Sequence, residues 1–490
     1  MNARPAMRQN DYSTLTPPEL GEWTPALPVS VIVPAHGGPH LDLTLAALAA
    51  QTYPAHLMEV LVVDDGSEPP IELPEIRPVD TRVVRVETGW GISNAVNTGA
   101  KAADGQVIQR LDADMVTCRE HIEALARWHH VTDYVVAIGM KTFVEAPALS
   151  QKEVFQARRL AEIFDLDAGV PSSTEATIAK TDGLRASRNP YHVCTGPTFS
   201  LHREIFHAVG GLDPNVLRGE DTEFAYRLAM HGVVFVPDPR AEAVHLGLPS
   251  QRVDKERAVR AVEPYLAHRI PLRRDLRKDA GRRWLVPYVE IVLDVTDTPE
   301  QVVRQAVAAA LGGRLQDVVV TLTAPWSLLP EGRRSVLGDP DFELRLMRDL
   351  FSGDDRIRLI DEEAATPAPS PFRYRGPVDV PLHRATLERM VEDVQKDLTG
   401  VLVVDLPGGR TARLERTSAL ARARLLGDPD DDVDRIIEVT HGVRHADPAR
   451  YWPAPRPAEA PKPVEPPKAV EIPPVESSLF GRLKSALRSG

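Results

Sequence analysis

From Val29 to about Leu248, short β-branched runs alternate with helical stretches, and this alternation constrains the chain more than any other feature. Val29-Ser30-Val31-Ile32-Val33 reads as a strand ended by Pro34, followed by a helix over 41–50 and a second strand, Val60-Leu61-Val62-Val63. A third strand over 83–86, a helix over 92–103 and a fourth strand over 107–111 continue the pattern. Strands separated by a helix's length pair in parallel, because a parallel return needs a long crossover. The expected fold class is α/β, a Rossmann-like, mostly parallel sheet with helices on both faces.

A second βα rhythm opens at Val289-Glu290-Ile291-Val292-Leu293-Asp294-Val295, with a helix over 301–310 and a strand at Val318-Val319-Val320-Thr321-Leu322. It reads as a degenerate duplicate of the first. Asp64-Asp65 has only Thr323-Ala324-Pro325 as counterpart, and Asp405 stands alone where a carboxylate pair is expected. Residues 252–283 carry eleven Lys or Arg against five Asp or Glu, the pattern of a solvated helix face. Residues 453–474 include nine prolines among 22 and read as an extended spacer. Beyond it Leu479, Leu483 and Leu487 fall on one face of a helix whose other face is basic. The expected segments are a loose N-terminal arm (1–27), a first α/β domain (28–250) and a basic helical linker (251–284). A second α/β domain (285–450), a Pro-rich linker (451–476) and a basic amphipathic C-terminal helix (477–490) follow.

The chain is 490 residues long with a net charge of −12, which argues against nucleic acid as a partner because phosphate attraction needs a basic field. Two cysteines, Cys118 and Cys194, exclude a disulfide framework and fit a reducing compartment. No secretory h-region follows Met1, and no apolar run approaches the ~18 residues of a membrane span. The expected location is cytoplasmic, at most peripheral at the inner face of the cell membrane. The C-terminal helix would make that contact, or would dock on a partner protein.

Chemistry concentrates at strand ends. Leu111-Asp112-Ala113-Asp114 follows the fourth strand directly. Carboxylates two apart on extended backbone point the same way, at the carboxyl edge where open α/β sheets bind ligands. Such a pair suits a hard cation, Mn²⁺ or Mg²⁺, that neutralises a diphosphate, or else an acidic turn capping the next helix. Val62-Val63-Asp64-Asp65-Gly66-Ser67 places two more carboxylates at a neighbouring strand end. Further on, Gly210-Gly211-Leu212-Asp213 precedes Gly219-Glu220-Asp221 at a helix start, and His245 ends a later strand. Helix-start carboxylates are favoured by the helix dipole, and can also serve as a general base.

In this order the motifs resemble the family 2 glycosyltransferases, nucleotide-sugar-dependent enzymes with a GT-A fold. The resemblance covers about residues 29–248 and rests on Val31-Ile32-Val33-Pro34-Ala35, the Asp64-Asp65 turn, residues 91–99, Asp112-Ala113-Asp114, Gly210-Gly211-Leu212-Asp213, Gly219-Glu220-Asp221 and His245. It implies a nucleoside pocket lined by Pro34, Ala35, His36 and Asp65, with Gly91, Asn94 and Asn97 nearby. It places Asp112 and Ala113 near the ribose and donor sugar, Thr195 and Gly196 along the sugar wall, and a metal on Asp114 and His245 with Asp112. Asp221 would deprotonate the acceptor, with Glu220 the alternative base. The chain departs from the family in having His36-Gly37 where Tyr-Asn is frequent, and Ala95-Val96-Asn97 where Ala-Arg-Asn is. Basic residues of 252–283 are candidates to replace that missing arginine.

The resemblance implies inverting transfer from a nucleotide-diphosphate sugar, UDP-linked by expectation, to a hydroxyl of a glycan or lipid-linked acceptor in cell-surface polysaccharide or glycoconjugate synthesis. Two other readings remain. One is an inactive binding or scaffold protein on the same fold. The other is a nucleotidyltransferase, which usually has a basic Gly-rich loop where this chain has His36-Gly37-Gly38-Pro39.

Overall fold

A computed structural model of the protein describes residues 4–247, 254–279 and 281–453. The expected C-terminal helix, 477–490, and nearly all of the Pro-rich linker lie outside the described residues. The first sheet contains β1 (Val29–Ala35), β2 (Met58–Asp64), β3 (Thr81–Arg85), β4 (Val107–Leu111), β5 (Met115–Thr117), β6 (Val135–Val144), β7 (Val170–Pro171), β8 (Thr198–His202) and β9 (Val234–Leu246). Its order is β3-β2-β1-β4-β8-β6-β9-β5, with β7 paired to β6. Strands β3, β2, β1 and β4 are mutually parallel, β8 runs against β4 and β6, and β6 is parallel to β9.

β1 runs two residues past its expected end, through Pro34 to Ala35. Pairing with β4 stops at Ile32↔Arg110, so Pro34 sits where no ladder bond is needed on that side. β1 and β2 are buried on both faces, which explains their unbroken apolar runs. The helix Ile92–Ala102 lies directly on the sheet at Gly99, where an added Cβ would meet Ile32 Cγ2 at 2.5 Å. Only glycine permits that approach.

The second sheet contains β10 (Val289–Asp294), β11 (Val318–Thr323), β12 (Ile357–Ile360), β13 (Phe372–Arg375), β14 (Val401–Leu406), β15 (Arg410–Arg416) and β16 (Val443–Ala446). Its order, β12-β11-β10-β13-β15-β14-β16, repeats the first sheet from β3 to β9 position by position, with the same parallel and antiparallel steps. Aligning β10 on β1 sets Arg375 on Arg110, because they face Val292 and Ile32 at matching positions. Asp112-Ala113-Asp114 then corresponds to Pro377-Val378-Asp379. This corrects the reading of Asp405: it lies on β14, whose counterpart is β6, and is not the relic of the carboxylate pair. A helix equivalent to Ile92–Ala102 is absent between β12 and β13, and a loop over 361–371 takes its place.

The N-terminal arm is not loose. Met7 and Leu15 are buried in the first core, and Asn10 donates to the carbonyls of Leu184 and Phe235 while accepting from the Phe235 amide. A polar residue reads as solvated in sequence, yet here it completes the backbone bonding of a buried strand start. The basic linker forms the helix Lys255–Arg269, capped by Asp254, which buries Leu266 and Ala267. Among the described residues no helix is long and apolar enough to cross a membrane.

Candidate active site

The carboxyl ends of β1, β2 and β4 converge on one edge, and two clusters of side chains gather there. The first surrounds Asp65. Its Oδ2 accepts from the Gly91 amide at 2.7 Å, its carbonyl faces His36 Nδ1 at 2.9 Å, and its amide donates to the Ala35 carbonyl. Asp65 thereby ties the loops after β1 and β2 to the helix start at Gly91. Its Oδ1 is buried without a partner, an acceptor aimed at no protein donor and costly to leave unmade. Neighbouring Asp64 serves the turn: it accepts from the Ser67 amide and from Arg85. Burial raises its pKa, but the Ser67 bonds and Arg85 outweigh this, so its carboxyl stays below the usual range.

The second cluster surrounds Asp112-Ala113-Asp114. Asp112 anchors its amide on the Pro197 carbonyl, and the Ala113 carbonyl accepts from Thr44. The Asp114 carbonyl accepts from the Leu246 amide, which brings the end of β9, and His245, alongside. One ligand atom each of Asp112, Asp114 and His245 lies within 4.8 Å of the others, and no other such cluster occurs among the described residues. His245 Nε2 stands 3.6 Å from Asp114 Oδ1, an oxygen that is buried without a hydrogen-bond donor. Burial raises the Asp114 pKa against the opposing pull of His245. Two carboxylates, an imidazole and an orphaned oxygen fit a hard divalent cation.

Two residues that the sequence reading did not single out complete this cluster. Arg110, fully buried on β4, places Nε 3.1 Å from Asp112 and Nη1 3.4 Å from Glu220. Burial alone would lower its pKa, but Asp112, Glu220 and Asp221 more than reverse that. Lys141 on β6 donates from Nζ to the carbonyl and hydroxyl of Thr195, at 3.0 and 3.1 Å. Burial lowers its pKa while Asp221 and Asp112 hold it up. The signal for both was a charged residue inside a mostly apolar strand.

The helix Glu220–Met230 presents its first two carboxylates differently. Glu220 is buried against Arg110, and burial together with Asp221 raises its pKa. Asp221 uses Oδ1 on the Thr222 amide and hydroxyl. Its Oδ2 faces Gly196, where an added Cβ would come within 3.3 Å at a φ of +47°. Thr195 and Gly196 therefore form a wall shared by Lys141 and Asp221.

Asn94 and Asn97 both have partners within the protein. Asn94 donates to the Trp90 carbonyl, and Asn97 clamps Leu212 through both its amide and its carbonyl, fixing the Gly210-Gly211-Leu212-Asp213 turn. Some of the linker's basic residues are paired with carboxylates, while its helix packs Val262 and Leu266 against Gly219. Arg269 binds Asp213, Arg273 binds Asp275, and Arg274 and Arg277 bind Asp317.

Residues 30–210 match the family model described as "Glycosyl transferase family 2". This segment is a family 2 glycosyl transferase domain. The match ends before Glu220, Asp221 and His245, which the fold returns to the same edge. The chain is similar to a chondroitin synthase of Escherichia coli, 24% identical over 359 residues, covering 68% of this chain and 50% of that protein. It is also similar to a hyaluronan synthase of Pasteurella multocida, 25% identical over 360 residues, covering 68% of this chain and 35% of that protein. The chain thus spans half or less of the length of these relatives. Among solved structures, a mannosyltransferase of Pyrobaculum calidifontis in complex with GDP-Man and Mn²⁺ matches at 18% identity and a TM-score of 0.34, over 52% of this chain and 66% of that one.

Proposed function

We propose that the family 2 domain transfers a sugar from a nucleotide-diphosphate donor to a hydroxyl of a glycan or lipid-linked acceptor, with inversion. The observation that carries this is the pairing of two sites on one edge. The orphaned Asp65 Oδ1 is an acceptor for a base or ribose donor, and the Asp112, Asp114 and His245 cluster lies beside it. The named relatives are synthases of chondroitin and hyaluronan, which supports polysaccharide as the product class.

Asp114, His245 and Asp112 would hold a divalent cation, Mn²⁺ or Mg²⁺, and that cation supplies Lewis-acid neutralisation of the leaving diphosphate. The chain's own residues do the rest. Pro34, Ala35, His36 and Asp65 orient the nucleoside. Arg110 pairs with Asp112 and fixes its carboxylate at the site. Lys141 holds the Thr195-Gly196 wall against which the sugar packs. Asp221 Oδ2 takes the acceptor proton as the hydroxyl attacks the anomeric carbon, a contribution of about 10²–10⁴ in rate. Asp221 is favoured over Glu220 because the Glu220 carboxylate is already committed to Arg110.

The second sheet is read as a non-catalytic duplicate. Its counterpart to the carboxylate pair keeps only Asp379, which is ion-paired with Arg410. The C-terminal segment 477–490 is proposed as a peripheral contact with an anionic membrane or a partner. Incubating the protein with a panel of nucleotide sugars, Mn²⁺ and glycan acceptors, and measuring nucleotide release, tests the reading. Acceptor-stimulated release from one donor supports it. Formation of a sugar nucleotide from a nucleoside triphosphate and a sugar phosphate would instead favour the nucleotidyltransferase.

A further inference from the structure

Away from the carboxylate edge, a small cavity of ≈ 70 Å³ lies where the N-terminal arm, the loop 187–191 and the start of the helix Thr417–Leu426 meet. Its lining includes Arg188, Tyr191, Arg416, Ser418, Arg422 and His441, and not one Asp or Glu.

The two inner arginines are the unusual feature. Arg416 is 7% exposed and Arg422 is 3% exposed. Arg416 donates to the carbonyls of Thr399 and Val394 and to the Gln395 side chain. Arg422 donates to the carbonyls of Gly232, Val233, Met7 and Gln9. Neither has a carboxylate partner. Burial pushes both guanidinium groups down to about 10, so both remain charged at neutral pH. Elsewhere in this chain the fully buried arginines Arg110 and Arg127 face carboxylates. Two buried cations without a counter-charge are expensive, since carbonyl dipoles replace hydration only in part.

A second observation points the same way. Tyr191 is 1% exposed, lines the cavity, and its hydroxyl has no hydrogen-bond partner. A buried phenol without a partner forfeits a bond that a ligand oxygen could accept. At the rim, Arg188 is exposed and Ser187 and Ser418 are half-buried, leaving polar groups at the entrance.

We propose that this cavity binds a phosphate group, free or carried on a small ester, through the guanidinium groups of Arg416, Arg422 and Arg188 and the Tyr191 hydroxyl. Phosphate chemistry fits because it supplies two negative charges and several acceptors in a compact group, and arginine forks match its oxygens. The loop that supplies Tyr191 runs four residues later into Thr195 of the sugar wall, so an occupant would sit next to a segment that shapes the active-site edge.

The test uses the full chain in EDTA, so that phosphate cannot be held through a cation at Asp114. Inorganic phosphate and glycerol 3-phosphate are titrated at constant ionic strength, with chloride as control, following thermal stability and calorimetric heat. Saturable binding of either probe, absent with chloride, is expected, and comparison of the two affinities tells a free ion from an ester. Tyr191→Phe removes a hydroxyl that bonds nothing in the protein, so its melting temperature without ligand should not fall. Its phosphate affinity should drop about tenfold, and that of Arg188→Ala at the exposed rim likewise. Arg416→Gln should abolish binding if it folds, but the two milder variants decide the matter without it. No saturable binding to the wild type, or equal affinity in the wild type, Tyr191→Phe and Arg188→Ala, would overturn the proposal.

Discussion

Arg110 reaches Glu220 from β4 across 3.4 Å, joining the strand that leads into Asp112-Ala113-Asp114 to the helix that carries Asp221. The two residues are 110 positions apart, and both are buried. This contact sets the distance between the proposed metal ligands and the proposed base. It also leaves each partner dependent on the other, because an unpaired charge at such a site costs several kcal/mol.

Arg110→Met should therefore leave Glu220 as a buried, unpaired carboxyl and destabilise the chain by about 3–5 kcal/mol. The double variant Arg110→Met with Glu220→Met should recover much of that loss. Denaturant unfolding of the wild type, both single variants and the double variant measures the coupling. A double variant as unstable as the sum of the singles would remove the pair from the account.

Turnover should require a divalent cation. Asp114→Asn should lower activity and donor affinity together, since it weakens the hold on the diphosphate, and His245→Ala should act in the same direction. Full turnover in excess chelator would refute the metal role of this cluster.

The first four strands of the first sheet were legible because β-branched runs and helical stretches alternate at full length there, and the ends of β1, β2 and β4 carried motifs; β5 to β8 were not read. The repeat in the second sheet was legible as a rhythm, but its register was not. Only strand pairing shows that Pro377-Val378-Asp379, and not Asp405, occupies the position of Asp112-Ala113-Asp114. Arg110 and Lys141 escaped notice because their partners, Glu220 and Thr195, are distant in sequence. Asn97 looked like a nucleotide contact from its place on the helix after Gly91, yet the fold spends both ends of its amide on Leu212. The arm over residues 1–27 misled because its few buried side chains, Met7, Asn10 and Leu15, are scattered among exposed ones.

The second sheet should not contribute to turnover through its remaining carboxylate. Asp379→Asn breaks the surface pair with Arg410, a change within about 1 kcal/mol of stability. Activity should stay near that of the wild type. A loss comparable to that of Asp114→Asn would mean that the duplicate is catalytic.

Stability should fall on acidification through buried histidines. His121, wholly buried between Thr198 and the Glu242 carbonyl, is held neutral by burial, which pushes its pKa from 6.5 down to about 4. The unfolded chain binds this proton first, so the contribution is complete above pH 6.5 and is lost as pH falls toward 4, on the order of 3 kcal/mol. Unfolding free energies at pH 7 and pH 4.5 should show this, and His121→Gln should flatten the dependence. An unchanged slope in that variant would contradict the assignment.

A carboxylate of the Glu220–Met230 helix is proposed to remove the acceptor proton at an edge where the donor is held by other residues. The most direct measurement is steady-state transfer by Asp221→Asn beside Glu220→Gln, with donor affinity measured separately on each protein. For Asp221→Asn, kcat should fall by about 10²-fold or more, with donor affinity nearly unchanged. Normal turnover in Asp221→Asn beside an inactive Glu220→Gln would move the base by one residue, and normal turnover in both would contradict a carboxylate base at this helix.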